Sequence, residues 1–381
     1  MAKILSLMLE AGSGHKIPAI AITEQMEKLD KSIKCTVMDP SKKFNSFFME
    51  KIYKKGWNFF LRKPLLFSII YPLLKGNSAL LLEMISTASL KKRIEEYVKK
   101  EKPDLIFTTY FSFAQVLGRL KKKGAIDAPT AVIVTDAFDP HRSWISKYLD
   151  YTIIYSKDSR EKLKKYGLKD GQIKIMNFPL RKEFDGKKQN IPLLRKKLGL
   201  KNKFTATLLS GGEGIGKLDR FVKEFAKSDP DMQMVVICGK NERLKKKIEG
   251  IAESSKTKKF SLKACGFVTN MQEYMAASDI MMGKSGLSFM FESLICRKPM
   301  IITQTISNEK PALKFFLKKR VCWYRKNPEK MHDLVIKLME NKELYRKCTK
   351  NIENLNLKNG TREIAELLVN ALRKRPKGSK K

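Results

Sequence analysis

Residues 3–19 read "KILSLMLEAGSGHKIPA", an apolar run followed by two glycines, a histidine and the start of a helical pattern. Apolar residues then recur from Ala19 to Leu29 at intervals that place them on one face of a helix. This order of strand, glycine turn and helix predicts the first unit of a parallel α/β sheet. Open sheets of that kind bind ligands beside the carboxyl ends of their strands, so His15 is expected at a ligand-binding edge.

The turn itself permits several interpretations: a phosphate cradle, a dinucleotide fingerprint, a catalytic histidine in its holder, or only a tight turn. The fingerprint G-x-G-x-x-G requires glycine at position 17, and Ile17 stands there, which excludes it. Main-chain amides at the start of a helix still suit an oxyanion or a phosphate. His15 is one of three histidines in the chain, and its position favours function over a capping or solvent-facing role.

The same alternation of strand and helix recurs along the whole chain. Strands are predicted over residues 3–9, 35–38, 104–109, 130–136, 151–156, 173–178, 204–211, 232–239, 260–267, 279–286 and 299–304. Their hydrophobicity is continuous rather than alternating, which indicates strands covered on both faces and hence parallel sheets. The polar stretch 181–192 separates two such series and predicts two doubly wound domains. Their predicted bounds are 1–185 and 186–365, with the end of the last helix and a basic tail over 366–381.

Composition limits the choice of partners. Lys and Arg total 78 against 39 Asp and Glu, a net charge of +39, which favours polyanions such as nucleic acid, an anionic membrane or phosphorylated substrates. No helix-turn-helix, RNA-recognition or zinc-finger signature is present, so no specific nucleic acid is expected. Six scattered cysteines without a C-x-x-C pair fit a reducing cytosol better than a zinc site or a disulfide scaffold. The N-terminus does not resemble a signal peptide.

Residues 44–90 interrupt the alternation with a segment rich in Phe, Tyr, Trp, Leu and Lys. Its longest uncharged stretch, residues 64–74, would form a helix of about 16 Å, half of a hydrocarbon core of ~30 Å. Aromatic residues beside lysines predict a segment lying in a membrane interface, and a helical pair that caps the first domain is an alternative compatible with it. The candidate membrane or acceptor residues in this insert are Trp57, Phe59, Phe60, Leu65, Leu66 and Phe67.

Two further glycine-bearing turns follow predicted strands. "SGGEGIGKL" (210–218) nearly matches the nucleoside-triphosphate loop, but Leu218 replaces the Ser or Thr that binds Mg²⁺. This favours a cradle for a diphosphate over an NTPase. In "GKSGLSFMFESL" (283–294), Ser285 and Gly286 offer hydrogen-bond donors, whereas Glu292 taken alone is predicted to face solvent.

"TDAFDPHRSW" (135–144) places an acid and a base after one strand. Asp136 is predicted either to orient a histidine or to accept a proton itself, and an ordinary turn before Pro140 is the alternative. A metal pair is present only as Asp229-Pro230-Asp231, which precedes a strand and therefore lies at the wrong end for a ligand cleft. No metal is expected.

Together these turns resemble a known family. The order G-x-G-H, T-D with H and W, F-P-x-R, G-G-x-G-x-G, C-G-K-N, G-F-x-x-x-M and K-x-G-x-x-x-x-x-E is similar to that of the family 28 glycosyltransferases. Within the family, the sequence most resembles the branch of processive diacylglycerol glucosyltransferases and monogalactosyldiacylglycerol synthases. The similarity extends over most of residues 1–370.

The resemblance implies a GT-B architecture, in which two Rossmann-like domains face each other across a cleft and the last helix returns to the first domain. The N-terminal domain would bind the acceptor and the C-terminal domain a UDP-sugar, with inversion, without a metal and without a cofactor. The implied donor-binding residues are Arg181, Ser210, Gly211, Gly212, Gly216, Gly239, Asn241, Phe267, Val268, Ser285, Gly286, Glu292, Asn308 and Glu309. For Glu292 this reverses the solvent-facing interpretation, because the family's glutamate holds the ribose.

On the acceptor side, His15 would be the base, with Asp136 as its partner or as an alternative base. Gly14, His141 and Trp144 join the insert as acceptor residues. The expected function is transfer of a hexose from a UDP-hexose to diacylglycerol or a similar lipid, at the cytoplasmic face of an anionic membrane. A polyprenyl-linked acceptor, sugar-nucleotide epimerisation and nucleic-acid binding are the alternatives.

The sequence departs from the family in the predicted donor pocket. The family's K-A-G-P-G-T is "KSGLSF" here, beginning at Lys284, and Asn308 stands where the family has glutamine. Pro311-Ala312 replaces the family's Gly-Asn. These positions bear on which sugar is accepted.

Overall fold

The computed structural model describes residues 1–10, 13–46, 56, 59, 66, 69, 71, 77–187, 189–210 and 218–374. Main-chain contacts divide the chain into two units. Unit 1 is Met1–Lys182, Ile306–Asn308 and Asn359–Lys381, and unit 2 is Glu183–Thr305 and Glu309–Lys358. The sequence analysis had placed the divisions at 185/186 and 365/366; the contacts instead assign the whole of the last helix to unit 1.

The sheet of unit 1 is parallel throughout and has the order β2-β1-β3-β4-β5-β6. Its strands are β1 (Ala2–Leu7), β2 (Ile33–Met38), β3 (Leu105–Thr108), β4 (Thr130–Ile133), β5 (Tyr151–Ile154) and β6 (Ile173–Ile175). The chain leaves β1 on one side to form β2 and returns on the other side to form β3. The topological switch point, where such sheets bind ligands, therefore lies between β1 and β3.

Helices cover both faces of this sheet, which explains why its strands are apolar along their whole length. They are Ser13–Leu29, Pro40–Lys43, Asn77–Ser86, Ala88–Glu101, Phe111–Lys122, Lys157–Lys165 and Thr361–Arg373. Leu5 and Ile106 point into a core shared with the helices Ala88–Glu101 and Phe111–Lys122. Ile4 and Phe107 point into the opposite core, which the first and last helices complete.

The last helix, Thr361–Arg373, packs directly against the first helix, Ser13–Leu29. Its start is fixed to the chain that follows β6. The Gly360 amide donates to the Phe178 carbonyl oxygen at 3.0 Å, and the Thr361 hydroxyl donates to the Leu180 carbonyl oxygen at 2.6 Å. The C-terminal helix is thus part of the support for the helix that begins at the predicted site.

Unit 2 contains a second parallel sheet with the order β12-β11-β10-β7-β8-β9. Its strands are β7 (Thr205–Leu209), β8 (Gln233–Ile237), β9 (Ser261–Cys265), β10 (Ile280–Lys284), β11 (Met300–Gln304) and β12 (Cys322–Tyr324). Its switch point lies between β7 and β10, because β8 and β9 extend to one side and β11 and β12 to the other.

The described helices of unit 2 surround this sheet. They are Ile191–Lys197, Leu218–Ser228, Glu242–Ser254, Met271–Ala277, Leu287–Ile295, Lys310–Lys318, Pro328–Glu340 and Lys342–Asn354. Every strand predicted from the sequence overlaps an observed strand, and both sheets are parallel as predicted. The sequence analysis missed β12, which has three residues and lies at the edge of its sheet.

Part of the predicted insert is described. The helix Asn77–Ser86 and the start of the helix Ala88–Glu101 fall within residues 44–90, whereas Trp57, Phe60, Leu65 and Phe67 lie outside the described residues. Phe59 and Leu66 are exposed. Within the described ranges, no helix combines the length and the apolar character needed to cross a bilayer.

Candidate active site

His15 lies at the switch point of unit 1, where the sequence analysis placed it. Its Nδ1 is 2.9 Å from the main-chain oxygen of Thr109 and 2.8 Å from the hydroxyl oxygen of Thr135. The Thr109 hydroxyl donates to the main-chain oxygen of His15 at 2.8 Å. Thr109 follows β3 and Thr135 lies two residues beyond β4, so residues after three neighbouring strands converge on one imidazole.

The protonation state of His15 follows from these contacts. A carbonyl oxygen can only accept a hydrogen bond, so the Thr109 oxygen requires a proton on Nδ1 and leaves the lone pair on Nε2. Burial lowers the pKa of His15 below its ordinary value, although the Asp136 carboxylate and the Thr109 carbonyl oppose that fall. The folded protein therefore holds a neutral imidazole at pH 7, the form that accepts a proton.

Asp136 is near His15 but does not bind its Nδ1. Its Oδ2 accepts a hydrogen bond from the indole Nε1 of Trp144 at 2.7 Å and lies 3.5 Å from Nε2 of His141. Its Oδ1 accepts from the Asn308 side-chain amide at 3.3 Å. Asp136 and the His141 ring are both largely buried. Asp136 thus contacts a different histidine, and its influence on His15 is electrostatic.

Aromatic rings surround the imidazole. Tyr110 meets His15 edge-on with centroids 4.9 Å apart, and Trp144 lies 6.3 Å away at a tilt. Phe111 packs edge-on against His141 at 4.8 Å. The sequence analysis named His141 and Trp144 but missed Tyr110 and Phe111, although both directly follow the third strand, at the same edge of the sheet as His15.

Tyr71 connects the insert to this region. It is 8% exposed, and burial raises the pKa of its phenol, with smaller contributions from the Asp136 and Asp139 carboxylates. An insert residue therefore lies close to the predicted catalytic carboxylate. The sequence offered no signal for this tyrosine, because it lies within the uncharged stretch 64–74, where no pattern distinguishes it from its apolar neighbours.

The carboxyl edge of the second sheet collects several predicted donor-binding residues. Ser210 follows β7 and is buried, with its hydroxyl donating to the Ile237 carbonyl oxygen at 3.0 Å. Gly239 follows β8 with a φ of 62°, a conformation that favours glycine. Asn241 caps the next helix by accepting from the Leu244 amide at 2.9 Å. Phe267, beyond β9, is 62% exposed.

A buried polar group lies beyond β10, at the switch point of unit 2. The Ser285 hydroxyl is 2.7 Å from Oε2 of Glu309 and 2.7 Å from the Thr305 hydroxyl. A hydroxyl has one proton, so Ser285 donates to the carboxylate and accepts from Thr305. Ser285 and Glu309 are both buried. Two of the predicted donor-binding residues are thus in direct contact.

The remaining predicted residues are distributed as follows. Glu292 is buried on the helix Leu287–Ile295, so the solvent-facing interpretation drawn from its sequence alone is wrong. Gly286 caps that helix, and Val268 is half-buried. Arg181, half-buried, and Asn308 belong to unit 1, and Gly14 is exposed. Gly211, Gly212 and Gly216 lie outside the described residues.

Two doubly wound sheets, each with polar residues at its switch point, define a GT-B glycosyltransferase architecture. Residues 15–180 match the family model of monogalactosyldiacylglycerol (MGDG) synthase. Residues 205–368 match the glycosyltransferase family 28 C-terminal domain. The chain therefore belongs to the family 28 glycosyltransferases, as its motifs predicted, and is an enzyme of that class.

Similar proteins agree with this assignment. A processive diacylglycerol beta-glucosyltransferase of Bacillus subtilis is 26% identical over 276 residues, 72% of this chain and 71% of that protein. A chloroplastic monogalactosyldiacylglycerol synthase of Spinacia oleracea is 25% identical over 345 residues, 86% of this chain and 64% of that protein.

Among solved structures, Acinetobacter baumannii MurG superposes with a TM-score of 0.65 at 12% identity, covering 97% of this chain and 100% of that one. A co-structure of S. aureus MnaA with UDP gives a TM-score of 0.60 at 14% identity, covering 98% and 96%. At such identities the structural likeness shows the shared fold.

Proposed function

We propose that the protein transfers a hexosyl group from a UDP-hexose to diacylglycerol at a membrane, with inversion at the anomeric carbon. The observation that carries the proposal is the neutral, half-buried His15, whose Nδ1 is occupied by the Thr109 carbonyl and whose Nε2 retains its lone pair. It lies at the ligand-binding edge of the sheet, in a chain similar to a diacylglycerol glucosyltransferase and a monogalactosyldiacylglycerol synthase.

In the proposed reaction, Nε2 of His15 takes the proton of the acceptor hydroxyl as that oxygen attacks the anomeric carbon. The new bond joins the lipid oxygen to the sugar. The bond from the anomeric carbon to the diphosphate oxygen breaks, and its electron pair leaves with UDP. Attack on the face opposite UDP inverts the anomeric configuration. The proton thus ends on His15, the sugar on the lipid oxygen, and the electron pair of the broken bond on UDP.

The donor would bind at the carboxyl edge of unit 2. Main-chain amides that follow β10 would stabilise the charge that develops on the leaving diphosphate, without a metal ion. Glu292 would hold the ribose hydroxyls, and the Ser285–Glu309 pair would fix the carboxylate that contacts the hexose. The short contact between Ser285 and Glu309 supports this arrangement because it holds a buried carboxylate in one orientation.

The proposed membrane partner is supported by the helix Asn77–Ser86. Leu81, Met84 and Ile85 lie on one side of it and are 60%, 51% and 66% exposed, whereas Glu83 and Ser86 are buried. The same helix packs against the Arg142–Trp144 turn, which supplies the indole bound to Asp136. One side of this helix is thus apolar and exposed, and its other side contacts the candidate acceptor site. We call Leu81, Met84 and Ile85 the apolar stripe.

The donor is tested by incubating the protein with UDP-glucose, UDP-galactose or UDP-N-acetylglucosamine and vesicles that contain diacylglycerol, followed by mass analysis of the lipids. The proposal predicts hexosyl-diacylglycerol from at least one donor. A parallel arm replaces diacylglycerol with a polyprenyl phosphate. Product in that arm alone would contradict the proposed acceptor.

Replacing the apolar stripe with Leu81→Ser, Met84→Ser and Ile85→Ser together is expected to lower partition onto anionic vesicles by at least about tenfold. Inserting three such side chains supplies several kcal/mol of hydrophobic free energy, of which the variant loses most. Co-sedimentation with vesicles of anionic phospholipid measures the effect. Leu193→Ser is the control, because Leu193 is 65% exposed on a helix of unit 2. Equal binding of the triple variant and wild type would refute a role for the stripe.

Asp136→Asn is expected to move the acid limb of the pH profile of kcat/KM to lower pH. Asp136 raises the pKa of His15, so its neutralisation makes the imidazolium less stable and lowers that pKa further. Activity at neutral pH should fall as well, since a weaker base accepts the proton less readily. Asp139→Asn, which removes a carboxylate paired with Lys162, is expected to leave the limb in place. An acid limb that moves to higher pH in Asp136→Asn would contradict the electrostatic role.

A further inference from the structure

Two threonines to which the sequence assigned no role hold His15 through three hydrogen bonds. Thr109 contacts both the side chain and the main chain of His15. Its main-chain oxygen lies 2.9 Å from Nδ1, and its hydroxyl donates to the His15 main-chain oxygen at 2.8 Å. Thr135 adds its hydroxyl oxygen, 2.8 Å from the same Nδ1. Thr109 is fully buried and Thr135 nearly so, which shields all three bonds from competing water.

These contacts select one tautomer of the ring. In the Nε2–H tautomer, the lone pair of Nδ1 would face the lone pairs of the Thr109 carbonyl oxygen at hydrogen-bond distance, which is repulsive. In the Nδ1–H tautomer the carbonyl accepts the hydrogen bond of that proton, whereas the Thr135 hydroxyl, which can donate or accept, contacts Nδ1 in either tautomer. A carboxylate often orients a catalytic histidine, but here Asp136 accepts a hydrogen bond from Trp144 instead, and the threonines contact Nδ1 of His15.

We propose that Thr109 and Thr135 are positioning residues: the Thr109 carbonyl holds His15 in the Nδ1–H tautomer, which makes Nε2 the proton-accepting atom, and the Thr135 hydroxyl holds the ring in place. The consequence of this tautomer for catalysis rests on the proposed function, whereas the tautomer itself does not. The edge-on ring of Tyr110, 4.9 Å from the imidazole, limits rotation of the ring away from the two threonines. The Thr109 carbonyl cannot be removed by substitution, so Thr135 is the residue whose contact with the ring can be tested by mutation.

The test is nitrogen NMR of the full chain labelled at histidine nitrogen, recorded without substrate at a pH where the ring is neutral. The His15 signals are assigned by their loss in His15→Gln, which is practical with three histidines. Wild type is expected to show a protonated Nδ1 and an unprotonated Nε2. In Thr135→Val, which keeps the shape but removes the hydroxyl, the ring should stay protonated on Nδ1, because the Thr109 carbonyl still accepts its hydrogen bond. Thr135→Ser should behave as wild type.

A ring protonated on Nε2, in wild type or in Thr135→Val, would overturn the proposed tautomer. Neither result bears on whether hexosyl-diacylglycerol forms, so failure of the proposed tautomer and failure of the proposed function are distinguishable. If transfer occurs, Thr135→Val should lower kcat and leave KM for the lipid unchanged, because Thr135 acts through His15 and touches no substrate. Thermal melts of both variants report whether the fold is intact.

Discussion

His15→Gln is expected to reduce hexosyl transfer by about 10²–10⁴-fold, the usual contribution of a general base. Glutamine can still donate to the Thr109 carbonyl, so the fold around the helix Ser13–Leu29 should persist, but an amide cannot accept the acceptor's proton. The rate of UDP release in the presence of a UDP-hexose and diacylglycerol vesicles measures the loss. Because the missing step is proton transfer, the donor affinity should change little.

The matched control is His332→Gln. His332 lies on the helix Pro328–Glu340 of unit 2, where its Nε2 is 2.7 Å from the Ser228 hydroxyl and its ring packs on Phe225. His332 has no role in the proposed reaction, so the rate of hexosyl transfer by this variant should match that of wild type. Full activity in His15→Gln, or an equal loss in both variants, would remove His15 as the base.

Gly360→Ala is expected to destabilise unit 1 by about 3 kcal/mol, the upper part of the range for overpacking. A Cβ at this position would lie 1.8 Å from the main-chain oxygen of Asn177 and 2.4 Å from its carbonyl carbon. Main chain cannot rotate away as a side chain can, so the start of the helix Thr361–Arg373 must shift. For a domain of this size the melting temperature should fall by roughly 6–12 °C.

Gly250→Ala provides a control of opposite sign. Gly250 lies inside the helix Glu242–Ser254, and a Cβ there meets nothing within 4 Å. Alanine should therefore stabilise the protein by about 0.5–1 kcal/mol through its better helix propensity. Calorimetric melts of the two variants compare the same chemical change in a crowded and an open position. A stable Gly360→Ala protein would contradict the close approach of Gly360 and Asn177.

The fold was largely predictable because its information is local. Continuous apolar runs such as residues 130–136 and 232–239 indicated buried parallel strands, and each contains one. The strand Cys322–Tyr324 escaped because three residues at a sheet edge carry too little pattern to distinguish them from a loop. Its place in the sheet comes from pairing with Met300–Ile302, which is a tertiary contact.

The site was predictable only in part. His15 and Asp136 could be named because each follows a strand in a recognisable turn. No role could be assigned to Thr109 or Thr135, because they meet His15 across 94 and 120 positions of the chain, and the T-D motif that contains Thr135 pointed only to its neighbour Asp136. Glu292 illustrates the same limit, since its burial depends on what packs against its helix rather than on its neighbours in sequence.

The central claim, inverting transfer of a hexose to diacylglycerol, is tested most directly by following UDP and lipid product together in vesicles supplied with an α-linked UDP-hexose. The account predicts one hexosyl-diacylglycerol for each UDP released at the first transfer, with a β linkage visible in the proton NMR spectrum of the purified lipid. An α-linked product would contradict inversion, and UDP-sugar converted to its epimer, or UDP released without glycolipid, would contradict the transfer itself.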